Sequence, residues 1–378
     1  MGQAMVKQSN DVLSGFGTTV FEVMSKLAIQ HKAINLGQGF PDEDGPEDIR
    51  AMAAKGLMDG PNQYPPMMGT AELRQAVTDA NHRFYGIAVE PDSGVLVTSG
   101  ATEALNDCLM ALINPGDEVV LLEPLYDCYL PLVLRAGGIV KSVRLDPPHW
   151  GLQKDRLDAA FSEKTKLVLL NNPMNPTGKV FTLSELELLA EYVQKYDAYA
   201  VCDEVYEHIV FGLNRHIPLA TLPGMGDRTV RIGSAGKTFS LTGWKVGYVT
   251  GAEELIAKIA KAHQFVTFTT PPALQNAVAF GLGKDDEFYQ NLKDSMQHKR
   301  DFIKNACNPS GSRQQIATAP ILSMLISILL ALRELTKNFA RRSRPKLVLR
   351  QFRSAHFTHQ RGRKPILCAF VFASERKS

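Results

Sequence analysis

The sequence predicts an α/β fold with a mainly parallel sheet covered by helices on both faces, and two observations carry that prediction. Short, continuous apolar runs recur at 95–98, 117–122, 139–145, 166–170, 198–203 and 229–233, with 246–250 as an added strand. Helical patterns fall between and around them, at 102–112 and 183–196 among others. A strand that is apolar throughout, rather than at every second residue, is buried on both faces. Strands that alternate with helices are joined by crossovers, which favour parallel pairing. The elements then follow in order. A short helix is expected over 20–29, after which 33–36 runs into the loop Gly37-Gln38-Gly39-Phe40-Pro41-Asp42. Helices over 48–58 and 71–84 lead to the first strand, which Ser99-Gly100 stops before the helix at 102–112. Long helices over 253–264 and 287–305 leave the sheet behind.

Composition supports a globular protein with a substantial core. The chain has 378 residues, 44% hydrophobic and 21% charged, enough for two domains. Its net charge of +3 says little about partners, but the charge is unevenly spread. Residues 306–378 hold 14 Lys and Arg against Glu334 and Glu375, leaving 28 of the 42 basic and 37 of the 39 acidic residues in the first 305. The tail is basic but carries no recognisable nucleic-acid module, so nucleic acid is not an expected partner. The cysteines, Cys108, Cys128, Cys202, Cys307 and Cys368, are odd in number and have no paired spacing. Neither a disulfide framework nor a zinc site is indicated, no metal is expected, and reduced, cytoplasmic residence is the default. Residues 1–11 have no apolar signal core, and the longest apolar stretch, 321–332, is too short for a membrane span.

The chemistry concentrates around Lys237, in Ser234-Ala235-Gly236-Lys237-Thr238-Phe239-Ser240. Asp203 closes the apolar run of the strand before it, and Asn175 sits in the loop Asn171-Asn172-Pro173-Met174-Asn175-Pro176-Thr177-Gly178. A lysine, an acid at a strand end and an asparagine in a Pro/Gly loop suit pyridoxal 5′-phosphate (PLP). The lysine forms a Schiff base and the acid pairs with the pyridine nitrogen. Ser99-Gly100-Ala101-Thr102 follows a strand and opens a helix, a turn that can offer backbone N–H groups to a phosphate. Each residue also has a plainer reading. Asp203 could cap the following turn, Tyr206 and Tyr126 could be packed core aromatics, Asn175 could be a turn residue, and Lys245 a solvated surface lysine. A P-loop is excluded, because counting back from Gly236-Lys237-Thr238 puts Arg231 where that motif needs glycine. No G-x-G-x-x-G follows an early strand.

Taken together, these segments resemble the class I, fold-type I PLP-dependent aminotransferases, and most of all the branch with kynurenine/glutamine and methionine aminotransferases. The resemblance rests on Asn35-Leu36-Gly37-Gln38-Gly39-Phe40-Pro41-Asp42, Asn62-Gln63-Tyr64, Glu123-Pro124, Asp203-Glu204-Val205-Tyr206, Gly236-Lys237-Thr238-Phe239 and Thr242-Gly243-Trp244-Lys245-Val246-Gly247. It covers about residues 15–305. It implies a seven-stranded-type sheet in a large PLP-binding domain (45–285) and a small α+β domain built from 1–44 and 286–378. It implies that Lys237 is the Schiff-base lysine, that Asp203 pairs with the ring nitrogen, and that Asn175 and Tyr206 contact the ring's phenolic oxygen. Tyr126 would stack on the ring. Gly100, Ala101, Thr102, Ser234 and Lys245 would hold the phosphate, with Tyr64 reaching it from the other subunit of a homodimer. Gly39 and Asn175 would line the substrate carboxylate pocket. The implied reaction is ping-pong transfer of an amino group from an L-amino acid (methionine, glutamine, aromatic or kynurenine type) to a 2-oxo acid.

Beyond Asn305 the resemblance stops. The family's last strand carries an arginine that grips the substrate carboxylate by a bidentate pair, and no residue of the tail can be matched to it. Arg350, Arg353, Arg361 and Arg363 are all equally unsupported. The charge break and the lost motifs point to a frameshifted reading of the coding region. Two further readings therefore stand beside the aminotransferase: a PLP-dependent carbon–sulfur lyase of the same fold, and a PLP-binding product with impaired catalysis.

Overall fold

The structure is a computed structural model that describes residues 7, 10–30 and 43–306. Among these, helices α1 (Asp11–Ser14), α2 (Val20–Gln30), α3 (Glu47–Asp59) and α4 (Ala71–Tyr85) precede strand β1 (Val95–Thr98). The alternation then runs α5 (Ala101–Leu112), β2 (Glu118–Glu123), α6 (Tyr129–Arg135), β3 (Ile139–Arg144), α7 (Lys154–Ala160), β4 (Thr165–Asn171), α8 (Leu183–Lys195), β5 (Tyr199–Asp203) and β6 (Thr229–Ser234). The short helix α9 (Ala235–Thr238) leads to β7 (Gly247–Thr250), and α10 (Glu253–Val266), α11 (Pro272–Leu282) and α12 (Asp286–Ala306) follow.

The seven strands form one sheet in the order β1-β7-β6-β5-β4-β2-β3. Pairing is parallel from β3 through β6, whereas β7 runs antiparallel to both of its neighbours. The physical reason is the short return: Ser234 at the end of β6 lies opposite Gly247 at the start of β7. A parallel return would need a full crossover. Because β7 is reversed, β1 points the same way as β2–β6, and their carboxyl ends share one edge.

Successive residues of the central strands feed opposite faces. Val120, Leu122, Val168, Leu170, Ala200 and Cys202 pack against α7 and α8, through Leu157, Leu186, Leu189 and Tyr192. Leu121, Leu167, Leu169, Val201 and Ile232 pack against α5, α6 and α10. That is the two-faced burial expected from the continuous apolar runs. A third cluster joins Val95 and Val97 of β1 to α3, α4 and α11, and it includes Ala235 and Phe239, which flank Lys237. Helix starts follow their capping chemistry: in α8 the Thr182 side chain accepts from the Glu185 N–H while Glu185 accepts from the Thr182 N–H. No helix among the described residues is long and apolar enough to cross a membrane. The basic tail, with its four arginine candidates, lies outside the described residues.

Candidate active site

The carboxyl edge of the sheet gathers the chemistry. The β1–α5 turn brings Gly100, Ala101 and Thr102, the end of β2 leads to Tyr126, and the loop after β4 brings Asn175. The end of β5 supplies Asp203 and Tyr206, the end of β6 Ser234 and Lys237, and Lys245 stands just before β7. All ten side chains or turns line one cavity of about 360 Å³. Ligands of open α/β sheets bind outside such carboxyl ends.

Asp203 is 4% exposed. Its Oδ2 accepts a hydrogen bond from the Tyr129 hydroxyl at 2.7 Å, and its Oδ1 faces the Val205 N–H at 3.4 Å. Burial raises the Asp203 carboxyl above the usual carboxylate range, against the pull of the Tyr129 hydroxyl, the Val205 N–H and the Lys237 charge. Lys237 lies in α9 with its Nζ 5.4 Å from the centre of the Tyr206 ring. Asn175 donates its backbone N–H to Asn171 Oδ1 at 2.6 Å, while its own buried Oδ1 has no hydrogen-bond partner. An unpaired buried carbonyl oxygen is costly. Asn175 itself lines the cavity.

The turn after β1 is shaped by close backbone approach. Gly100 has φ +82°, and a Cβ there would lie 3.1 Å from Lys245 Nζ. A Cβ on Gly247 would lie 2.7 Å from the Gly100 carbonyl carbon. These glycines let the start of β7 press against the N-terminus of α5 and bring the Lys245 ammonium beside it. Ser234 Oγ accepts from the Gly236 N–H at 3.2 Å. Tyr126 meets Tyr129 edge to face at 5.6 Å.

Tyr64 is 84% exposed and lies outside the cavity lining, its ring edge-on to Phe268 at 5.8 Å. Gly39 lies outside the described residues. Conversely, Tyr129 and Asn171 line the cavity without having been singled out. Asn171 opens the Asn-Asn-Pro motif, a signal that was available, whereas nothing near Tyr129 announces a hydrogen bond 74 residues away. Away from the cavity, two buried groups, Glu103 with Asp107 and His263, and Glu204 with Glu207 and His216, bring donor atoms within 4.8 Å of one another. In both, cationic or N–H donors already meet the carboxylates, including Arg231 Nε on Glu204 at 2.6 Å.

Comparison with known proteins agrees with this geometry. The family model "Aminotransferase class I and II" matches residues 31–341, reaching past Asn305, where the motif resemblance ends. A methionine aminotransferase of Escherichia coli is 42% identical over 298 residues, 79% of this chain and 77% of that one. A kynurenine–oxoglutarate transaminase of Dictyostelium discoideum is 39% identical over 318 residues, 79% of this chain and 73% of that one. The solved N-succinyldiaminopimelate aminotransferase of Mycobacterium tuberculosis superposes with a TM-score of 0.78 at 41% identity, covering 80% of each chain. The chain therefore belongs to the class I and II aminotransferase family, with the fold-type I architecture of amino-group-transferring enzymes.

Proposed function

We propose that this aminotransferase works with PLP held in the cavity at the carboxyl edge of the sheet, in the large domain (45–285), as a homodimer. The donor is an L-amino acid of methionine, glutamine, aromatic or kynurenine type and the acceptor a 2-oxo acid. The observation that carries the cofactor reading is the joint placement of Lys237, the buried Asp203 carboxyl and the unpartnered Asn175 Oδ1 around one cavity. The residues present fit the group. Asp203 is a buried acid whose ionisation is costly until a cation faces it, which a protonated ring nitrogen provides. Asn175 and Tyr206 suit a phenolic oxygen, and the Gly100–Thr102 turn with Ser234 and Lys245 suits a phosphate dianion.

When bound, PLP supplies an electron-withdrawing ring that takes up the negative charge developing at the substrate α-carbon. The protein's part is proton handling and orientation. With the group bound, the Lys237 amine would take the proton from the substrate α-carbon as a base and, as an acid, deliver it to the carbon that receives the amino group. Tyr126 lines the cavity wall, where its ring can hold the cofactor plane. The methionine and kynurenine transaminase relatives favour an amino donor of moderate size with an apolar or aromatic side chain.

The test is an absorbance titration of the PLP-loaded protein with methionine or glutamine and no acceptor. The expected result is conversion of the cofactor's visible band and release of the 2-oxo acid. Lys237→Ala should bind PLP yet convert at least about a hundredfold more slowly, the scale of a lost general base. Ordinary transamination by Lys237→Ala would overturn the assignment. With cystathionine, a cysteine thioether, in place of methionine, release of a thiol, pyruvate and ammonia without acceptor would mark a carbon–sulfur lyase. A band that no amino acid changes would mark a cofactor-binding protein with impaired catalysis.

A further inference from the structure

We infer that His263, outside the cavity lining, is a positioning residue that neutralises and braces the phosphate-binding turn through Glu103. The inference rests on the reading that the β1–α5 turn takes the cofactor phosphate. Glu103 stands in the first turn of α5, with its Oε2 accepting the Ser99 N–H and its Oε1 2.9 Å from His263 Nδ1. Asp107, one turn further along α5, places Oδ2 3.5 Å from the same Nδ1, an ion-pair distance. The other ring nitrogen, Nε2, lies 3.2 Å from the Met67 carbonyl oxygen, three residues from Tyr64.

The partners decide the protonation state. A carbonyl can only accept, so Nε2 carries a proton. Glu103, whose hydrogen bonds favour its anion, can only accept, so Nδ1 carries one as well and His263 is an imidazolium, whereas burial raises the Asp107 carboxyl. The titratable groups facing it are Glu103 and Asp107, both from α5. The 66–70 segment presents the Met67 carbonyl, and past α10 the Thr267 and Phe268 N–H groups meet the His263 carbonyl while the Thr267 side chain hydrogen-bonds Glu103. Burial works against the charge, yet the two carboxylates hold the imidazolium pKa up to about 9.

The consequence is electrostatic. The positive end of α5 is the feature that attracts a phosphate dianion. Glu103 occupies the same helix turn with a negative charge, and its anionic form is favoured by the His263, Thr267 and Ser99 hydrogen bonds despite burial. Without a cation behind it, Glu103 would repel the phosphate and compete for that helix end. His263 cancels the charge and ties the turn to the segment that leads back to Tyr64. The folding stabilisation from this imidazolium is fully present below pH 6.5 and is lost as pH rises through about 9, because a raised pKa means the proton is bound more tightly in the folded chain.

The experiment compares the affinities of the full chain for pyridoxamine phosphate and pyridoxamine, by fluorescence titration. Neither ligand forms a bond to Lys237, and their shared ring titrations cancel in the ratio. Wild type should prefer the phosphorylated ligand, and the preference should fade as pH rises through about 9. His263→Gln should lower it roughly tenfold, the scale of a lost charge-assisted hydrogen bond, and remove the pH step. The double variant His263→Gln with Glu103→Gln should restore the preference, which a merely structural role would not do. If His263→Gln does not fold, Asp107→Asn replaces it and should shift the pH step downward. A wild type with no preference would overturn the phosphate-turn reading and the inference with it. A preference and pH step that His263→Gln retains would overturn the inference alone.

Discussion

At the residue scale, the Tyr129–Asp203 bond is the most consequential contact that the motifs did not announce. The Tyr129 hydroxyl donates to Asp203 Oδ2 at 2.7 Å and favours the ionised carboxylate, which burial opposes. Removing it in Tyr129→Phe leaves the ring and the packing in place. The Asp203 pKa should then rise, the ionised fraction at a given pH should fall, and the acid limb of the pH–rate profile should move up by about one unit. A profile for Tyr129→Phe that superimposes on wild type would show that the bond does not govern Asp203. The case also marks how far residues could be read. Lys237, Asp203 and Asn175 were legible because strand ends, a Pro/Gly loop and their order along the chain are local features, and they line one cavity. Tyr129 was not legible, because it stands on helix α6 and its role is set by a partner at the end of β5.

At the element scale, the strands were legible almost to the residue: 95–98 coincides with β1, and 229–233 falls one residue short of β6. The reversed direction of β7 was not, since an apolar run has no polarity of its own. Helices α6, α7 and α11 also went unassigned. α6 carries Pro131 within its first turn, α7 is only seven residues long with four of them charged, and α11 opens on Pro271-Pro272. Such signals read as turns until tertiary packing overrides them. The antiparallel β6–β7 pair has its own fingerprint in Gly233, which faces Tyr248 in register. A Cβ at Gly233 would sit 2.2 Å from the Tyr248 ring. Gly233→Ala must displace a buried tyrosine, so it should cost about 1–3 kcal/mol, read as a lower denaturant midpoint. An unchanged midpoint would mean that β7 yields more easily than its burial implies.

At the scale of the whole molecule, the cavity is built from one chain while Tyr64 stands away from it. Tyr64 is 84% exposed beside Phe268, with Phe265 equally exposed on the last turn of α10. Aromatic side chains left in solvent on one face suit an interface. In the proposed homodimer, each Tyr64 completes the phosphate site of the other subunit, across a two-fold axis that makes both sites equivalent. That arrangement has a consequence no monomer can imitate. Tyr64→Ala and Lys237→Ala chains would each be strongly impaired as homodimers, because every site lacks one of the two groups. In a mixed dimer, the site that draws Lys237 from the Tyr64→Ala chain and Tyr64 from the Lys237→Ala chain is whole, and the other lacks both. Equal amounts of the two chains, exchanged by mild denaturation and refolding, make half their dimers mixed, with one intact site in each. Activity should therefore recover to about a quarter of wild type by random pairing. Two impaired chains that stay impaired after exchange, while size-exclusion chromatography shows mixed dimers, would mean that Tyr64 serves its own subunit or neither.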